Sequence, residues 1–163
     1  MFSPKIIKLA TETLQMARDK GYHLATAESC TGGLIMGALT EISGSSDVVV
    51  RGFITYTNRA KMEVLGVTGE ILRIGGAVTQ ETAIAMAQGA LEKSSATIAV
   101  SVTGIAGPGG GSSDKPVGLV HMACASRGGP TRHEKYLFGD IGRGKVREET
   151  VISALKLFQT AMT

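Results

Sequence analysis

The chain contains no tryptophan, and three tyrosines and four phenylalanines supply only 4% of its residues. The core must therefore be built from Val, Ile, Leu, Ala and Met. A surface that binds nucleic acid by stacking bases on aromatic rings is not expected. Charge is sparing too: 17 Lys and Arg against 14 Asp and Glu leave +3, with no Lys/Arg run, so no nucleic-acid partner is expected. Two cysteines, Cys30 and Cys124, are too few for a disulfide framework. The three histidines, His23, His121 and His133, stand isolated, none at ligand spacing to another or to a cysteine, so no metal site is expected. Each reads as a strand or surface residue. No apolar run approaches the roughly 20 residues of a membrane span, so no membrane partner is expected. Met1–Lys8 mixes charge into its apolar residues and offers no cleavage-like site, which argues against a signal peptide. The chain is read as cytoplasmic with reduced thiols.

What the chain does have is length for one domain with a real core, at 163 residues, and 22 glycines that cluster rather than repeat. Apolar residues Ile6, Ala10, Leu14 and Ala17 recur at helical spacing, with Gly21 placed to end the helix. His23–Thr26 reads as a strand, Leu34 to about Ile42 as a helix, and Val48–Thr57 as extended. Short helices are expected over Asn58–Leu65, with Asn58 near its cap, and over Glu70–Ile74 before Gly75-Gly76. Thr79 is a good cap for a helix over Gln80–Glu92 whose Ala83, Ala87, Ala90 and Leu91 face inward. Thr97–Val102 has the continuous apolar character of a buried central strand. Val117–Ala125 and His133–Phe138, joined by a link containing Gly128-Gly129-Pro130, form an antiparallel hairpin. Val151, Leu155, Phe158 and Met162 mark a final helix. Alternating helices and strands with one hairpin predict a single three-layer α/β/α domain with a mixed sheet.

Chemistry concentrates in the stretch Ala27–Gly33, Ala-Glu-Ser-Cys-Thr-Gly-Gly, between the first strand and the second helix. A small-residue turn there puts backbone N–H groups at a helix start and exposes a hydroxyl at the sheet end. Ser29, Cys30 and Thr31 stand in a row, and Gly32 and Gly33 allow a ligand close to the backbone. The plainer alternative is a tightly entered, capped helix. A second wall is offered by the loop from Thr103 and Gly104 through Ala106 and Gly107 to Ser113, beyond the central strand, where open α/β sheets bind ligands. It fits no dinucleotide fingerprint, because no helix follows it. Gly139–Val146 fits G-x-x-x-x-G-K but has Val146 where a P-loop needs Ser or Thr for Mg²⁺, and no strand follows to supply an acidic ligand. A basic loop there, with Arg143 or Lys145, remains able to hold a phosphate, or is simply solvated. Ser29 needs a base; Lys61, just beyond Tyr56, is a candidate for a Ser–Lys pair, with Tyr56 relaying the proton or orienting the lysine. The alternative for Lys61 is a solvated surface charge. Cys30 is the rival nucleophile or a buried small residue.

Five blocks in order, Thr26–Gly33, Gly52–Asn58 with Lys61, Gly76-Ala-Val78, Thr103–Pro108 and Lys115–Gly118, resemble the C-terminal domain family of the competence-damage protein CinA. Its stand-alone members are the PncC nicotinamide-nucleotide amidases; larger members add an N-terminal domain for which this chain has no room. The resemblance covers essentially the whole chain. It implies hydrolysis of nicotinamide mononucleotide to nicotinic acid mononucleotide and ammonia, in pyridine-nucleotide recycling, without a cofactor. It puts the nucleophile at Ser29, the base at Lys61 with Tyr56 beside them, and the substrate loop at Thr103, Gly104, Ala106 and Gly107; backbone N–H groups of Cys30 through Gly33 are expected to hold the oxyanion, and Arg143 the phosphate. The family's Arg after Gly-Asp is displaced here by Ile141-Gly142, leaving Arg143 and Arg147 as candidates for it. The expected partners are a small nucleotide substrate and further copies of the chain. The competing classes are a Mg²⁺-dependent nucleotide hydrolase such as a pyrophosphatase, for which no carboxylate cluster is visible, and a non-catalytic nucleotide-binding or competence-associated regulatory module.

Overall fold

In the computed structural model, which describes residues 1–163, a five-stranded sheet runs β2-β1-β3-β4-β5 in spatial order. The strands are β1 (Leu24–Glu28), β2 (Val49–Ile54), β3 (Ile98–Gly104), β4 (Leu119–Ser126) and β5 (Arg132–Leu137). β1 pairs in parallel with both β2 and β3, and β3, β4 and β5 pair antiparallel, so the sheet is mixed and the expected hairpin is present. Six helices cover it: α1 (Pro4–Lys20), α2 (Leu34–Thr40), α3 (Asn58–Leu65), α4 (Gly69–Gly75), α5 (Gln80–Glu92) and α6 (Arg143–Met162). No helix is long and apolar enough to cross a membrane.

Local signals explain the boundaries. Ser3 and Thr79 cap α1 and α5 through their side-chain oxygens, and Gly21 closes α1 in the left-handed region at φ 70°. Thr57, not Asn58, caps α3, accepting from the Ala60 N–H at 3.1 Å. β1 reaches Glu28, two residues further than its apolar run, because β2 and β3 flank it and satisfy its backbone on both sides.

One face of the sheet packs on α1, α2 and α6 through Leu14, Ile35, Val100, Leu155 and Phe158. The other packs on α3, α4 and α5 and is rich in alanine, with Ala83, Ala87 and Ala90 of α5 against Ala25, Ala99 and Ala123 of the strands. Those small side chains let α5 lie close, and Ser101 Oγ donates to the Ala83 carbonyl at 2.5 Å. A Cβ on Gly89 would sit 2.0 Å from the Leu65 carbonyl oxygen, so α3 and α5 meet backbone to backbone.

The connectivity positions the site. From β1 the chain crosses one face to reach β2, then returns over the other face to β3 on β1's opposite side. The sheet therefore has its switch point between β1 and β3, where the outgoing loops part and leave a crevice at the carboxyl ends. The Ser29 turn and the glycine loop are the segments leaving those two ends. One expectation is corrected: residues 142–147 are not a loop. Gly142, at φ 94°, turns the chain, and Arg143–Arg147 form the start of α6, with Val146 buried as its first core contact.

Candidate functional site

The turn after β1 is held by the residue before Ser29. Glu28 is 1% exposed and faces the start of α2. Its Oε2 accepts from Thr31 Oγ1 at 2.6 Å, Gly33 N at 3.1 Å and Ile35 N at 3.0 Å, and its Oε1 from Met36 N at 2.8 Å. One carboxylate thus satisfies the orphan N–H groups of a helix whose N-cap residue, Gly33, has no side chain to do so. Sequence reading assigned Glu28 no role; an acidic residue just before a helix start was the available signal. Gly32 and Gly33, at φ 60° and 102°, allow the chain to double back.

Ser29 follows Glu28 directly, its N–H donating to the Val102 carbonyl of β3 at 3.1 Å, so the serine stands on the last rung of the ladder. Lys61 reaches it from α3. Helical side chains lean toward the helix N-terminus, which carries Lys61 back over the carbonyls that precede α3. Its Nζ lies 2.9 Å from Ser29 Oγ, 2.9 Å from the Thr55 carbonyl oxygen and 3.4 Å from that of Tyr56. Lys61 is 1% exposed and has no carboxylate partner. Burial accordingly lowers its pKa, only partly offset by Cys30. A neutral amine has two N–H groups and one lone pair. In that form the two carbonyls would take the N–H groups and leave the lone pair for the serine hydroxyl.

Cys30 lies beside them, but burial pushes its thiol up to about 12; its own backbone N–H, Arg147 and Lys61 pull the other way, and Glu28 adds to the rise. No hydrogen bond joins that thiol to Lys61, whose Nζ lies on Ser29 Oγ, so the geometry favours the serine over its rival.

These groups open onto a cavity of about 180 Å³ lined by Ser29, Cys30, Tyr56, Lys61, Ala77, Val78, Thr103, Gly104, Ala106 and Arg143. Larger hollows of about 430 and 390 Å³ lie at the α5–hairpin junction and at the N-terminus, and neither is lined by Ser29 or Lys61. The predicted second wall is there: Thr103 Oγ1 donates to the Ala77 carbonyl at 2.7 Å, and Gly104 passes so close to β4 that a Cβ would lie 2.6 Å from Val120 Cγ2. Gly107 stands behind this wall, its carbonyl accepting from Arg143 Nη1 at 3.0 Å.

Several expectations are revised or decided. Thr31, Gly32 and Gly33 do not line the cavity; they build the turn beneath it. The Tyr56 hydroxyl meets Arg143 Nη2 at 3.0 Å, so it relays no proton to Lys61; the Tyr56 backbone carbonyl is what touches the lysine. Arg143 enters the cavity from the first turn of α6, whereas Arg147 stays outside it, its Nε and Nη2 donating to the carbonyls of Cys30 and Thr31 at 3.1 and 3.0 Å. Lys145 faces outward, paired with Glu148 and Glu149. Finally, His121 and His133 are not isolated: β4–β5 pairing sets them diagonally, with Nδ1 of one 2.9 Å from Nε2 of the other. No group of three or more His, Cys, Asp and Glu side chains converges as a metal site would require.

Fold and site together define a class: an open α/β domain presenting a serine beside a buried lysine at the switch point of its sheet. The chain belongs to the CinA C-terminal domain family, whose model matches residues 6–162. A CinA-like protein of Syntrophobacter fumaroxidans is 47% identical over 146 residues, 90% of this chain and 34% of that protein. The chain thus spans about a third of the length of the curated relatives it matches. The crystal structure of competence/damage inducible protein CihA from Agrobacterium tumefaciens superposes with a TM-score of 0.96 at 54% identity, covering 99% of this chain and 98% of that one. A CinA superfamily protein from Escherichia coli superposes at 0.91 with 30% identity, covering 99% and 94%.

Proposed function

We propose that this chain is an amidohydrolase that converts nicotinamide mononucleotide and water to nicotinic acid mononucleotide and ammonia in pyridine-nucleotide recycling. The observation that carries the reading is the buried Lys61 amine, 2.9 Å from Ser29 Oγ with the Thr55 and Tyr56 carbonyls placed to take its N–H groups. The neutral amine takes the hydroxyl proton as Ser29 Oγ bonds to the carboxamide carbon and the carbonyl electrons move to oxygen. The tetrahedral intermediate collapses, the carbon–nitrogen bond breaks, and the Lys61 ammonium returns its proton to the departing ammonia. Water, deprotonated by Lys61, then attacks the acyl-serine, and the carboxylic acid leaves as Ser29 regains its hydrogen.

The rest of the cavity suits the rest of the substrate. Its volume is well below the roughly 300–1,000 Å³ of pockets that swallow whole ligands. It takes the carboxamide-bearing ring and leaves ribose and phosphate at the rim. At that rim stands Arg143, at the start of a 20-residue helix with no side-chain cap and no acidic residue in its first turn. Exposed N–H groups, the helix dipole and a guanidinium fork together favour a phosphate dianion. The test is ammonia release from nicotinamide mononucleotide by the purified chain and by Ser29→Ala. Turnover in the wild type, with loss of turnover and retained binding in the variant, supports the reading. Binding without turnover in the wild type would favour the regulatory module instead, and turnover retained in Ser29→Ala would remove the serine mechanism.

A further inference from the structure

An acyl-transfer site needs N–H donors for the oxyanion, and the turn after Ser29 has few to give. The Gly32 N–H donates to the Ser29 carbonyl at 3.1 Å, and the Gly33 N–H to Glu28. Those of Cys30 and Thr31 donate to no other group of the chain. Each belongs to a trans peptide unit, in which N–H and C=O point in opposite directions. Whatever holds the carbonyl therefore aims the N–H. For Cys30 the partner carbonyl is that of Ser29, held by Gly32 within the turn. For Thr31 it is that of Cys30, and its holder is Arg147 Nε, at 3.1 Å. The same guanidinium grips the next carbonyl, Thr31 O, through Nη2 at 3.0 Å.

Resting on the serine nucleophile of the proposed function, we infer that Arg147 is a positioning residue: its fork holds the Cys30 and Thr31 carbonyls, the Thr31–Gly32 unit so fixed holds the Ser29 carbonyl through the Gly32 N–H, and the Cys30 N–H at the cavity wall is thereby aimed at the oxyanion formed on attack by Ser29. Without the fork, the Thr31–Gly32 unit is free to rotate and release the Ser29 carbonyl, and the Cys30 N–H is no longer aimed where negative charge develops. Helix spacing couples this task to the cavity. Arg147 lies four residues after Arg143, on the same face of α6. One helix end thus sends Arg143 into the cavity and Arg147 beneath the turn. A lysine in place of Arg147 supplies one donor direction on a flexible stem and cannot span both carbonyls.

The test uses p-nitrophenyl acetate, whose acyl transfer to Ser29 is followed by nitrophenolate release and by the acetyl mass on the intact protein, alongside nicotinamide mononucleotide turnover. Folding of each variant is checked by thermal melting. For folded Arg147→Ala the expected result is acylation slowed by about 10²-fold, the typical effect of losing one oxyanion donor. The loss appears in kcat for the mononucleotide, with KM changed by less than about threefold, and Arg147→Lys recovers only part of the rate. Wild-type acylation rates in Arg147→Ala would overturn the inference, as would a large rise in KM with kcat intact, which marks a substrate contact. Should Arg147→Ala fail to fold, Arg147→Lys decides: acylation at the wild-type rate overturns it, and slower acylation with unchanged KM supports it. If wild-type Ser29 is acylated but releases no ammonia from the mononucleotide, the amidase reading fails and this one survives. If wild-type Ser29 is not acylated at all, both fall.

Discussion

Replacing Lys61 with methionine isolates the property on which the proposed chemistry depends, an amine kept neutral by burial. In the unfolded chain the lysine titrates near its ordinary value of 10.5, and in the fold its pKa is lowered, mainly by burial. Between the two values the unfolded chain holds a proton that the folded chain has shed. Stability therefore rises with pH across that window, by up to about 1.4 kcal/mol per pH unit for one proton, and levels off above the unfolded value. Methionine fills a similar volume and titrates in neither state, so this contribution vanishes in Lys61→Met. The variant also strips a donor from the Thr55 carbonyl, whose residue is fully buried. That costs about 1–3 kcal/mol, but equally at every pH. The slope of the stability difference, and not its height, is thus the signal. Urea unfolding of both proteins between about pH 6 and pH 10 measures it. A wild-type curve that climbs relative to Lys61→Met as pH rises supports the neutral amine, and kcat/KM is expected to rise over the same range. Parallel curves would refute it: Lys61 would then be an ammonium in the fold, unable to take a proton from Ser29.

Glu28→Gln is expected to destabilise the protein by about 3 kcal/mol or more, because an amide cannot accept the four donors that converge there. At roughly 2–4 °C per kcal/mol for a chain of this size, thermal melting should fall by about 6–12 °C, and an unchanged melting temperature would contradict the capping role. Arg143→Ala should raise KM for nicotinamide mononucleotide about tenfold to a hundredfold while leaving KM for nicotinamide riboside nearly unchanged. Equal losses on both substrates would assign Arg143 to structure or catalysis. Exhaustive chelation with EDTA should leave ammonia release unchanged, and activity lost to EDTA and restored by Mg²⁺ or Zn²⁺ would contradict the Ser–Lys mechanism.

The elements of this fold were legible in the sequence because their signals are local. Thr79 before an alanine-rich period of helical spacing specifies α5, and Gly21 after Ala17 ends α1, through contacts spanning only a few residues. The apolar run in β3 declares a central strand, and the Gly-Gly-Pro link declares a hairpin. The small residues around Ser29 marked a strand-to-helix turn for the same reason. Only the tertiary structure decided what that turn faces. Lys61 lies 32 residues from Ser29, and the two meet because β2 pairs in parallel beside β1 and delivers Thr55, Tyr56 and then α3 to the serine. Arg147 reaches Cys30 across 117 residues through the packing of α6, and His121 finds His133 through a hairpin register. The chemistry of Lys61 is itself non-local. A lysine is a solvated cation by default; here segments distant in the chain exclude water from it and offer carbonyls in place of a counter-charge, which favours the neutral amine that the proposed mechanism needs. Secondary structure follows from interactions between near neighbours in sequence. Protonation state and catalytic geometry follow from the sum of fields and contacts at a point in space, and the order of residues along the chain does not specify that point until the sheet has closed around it.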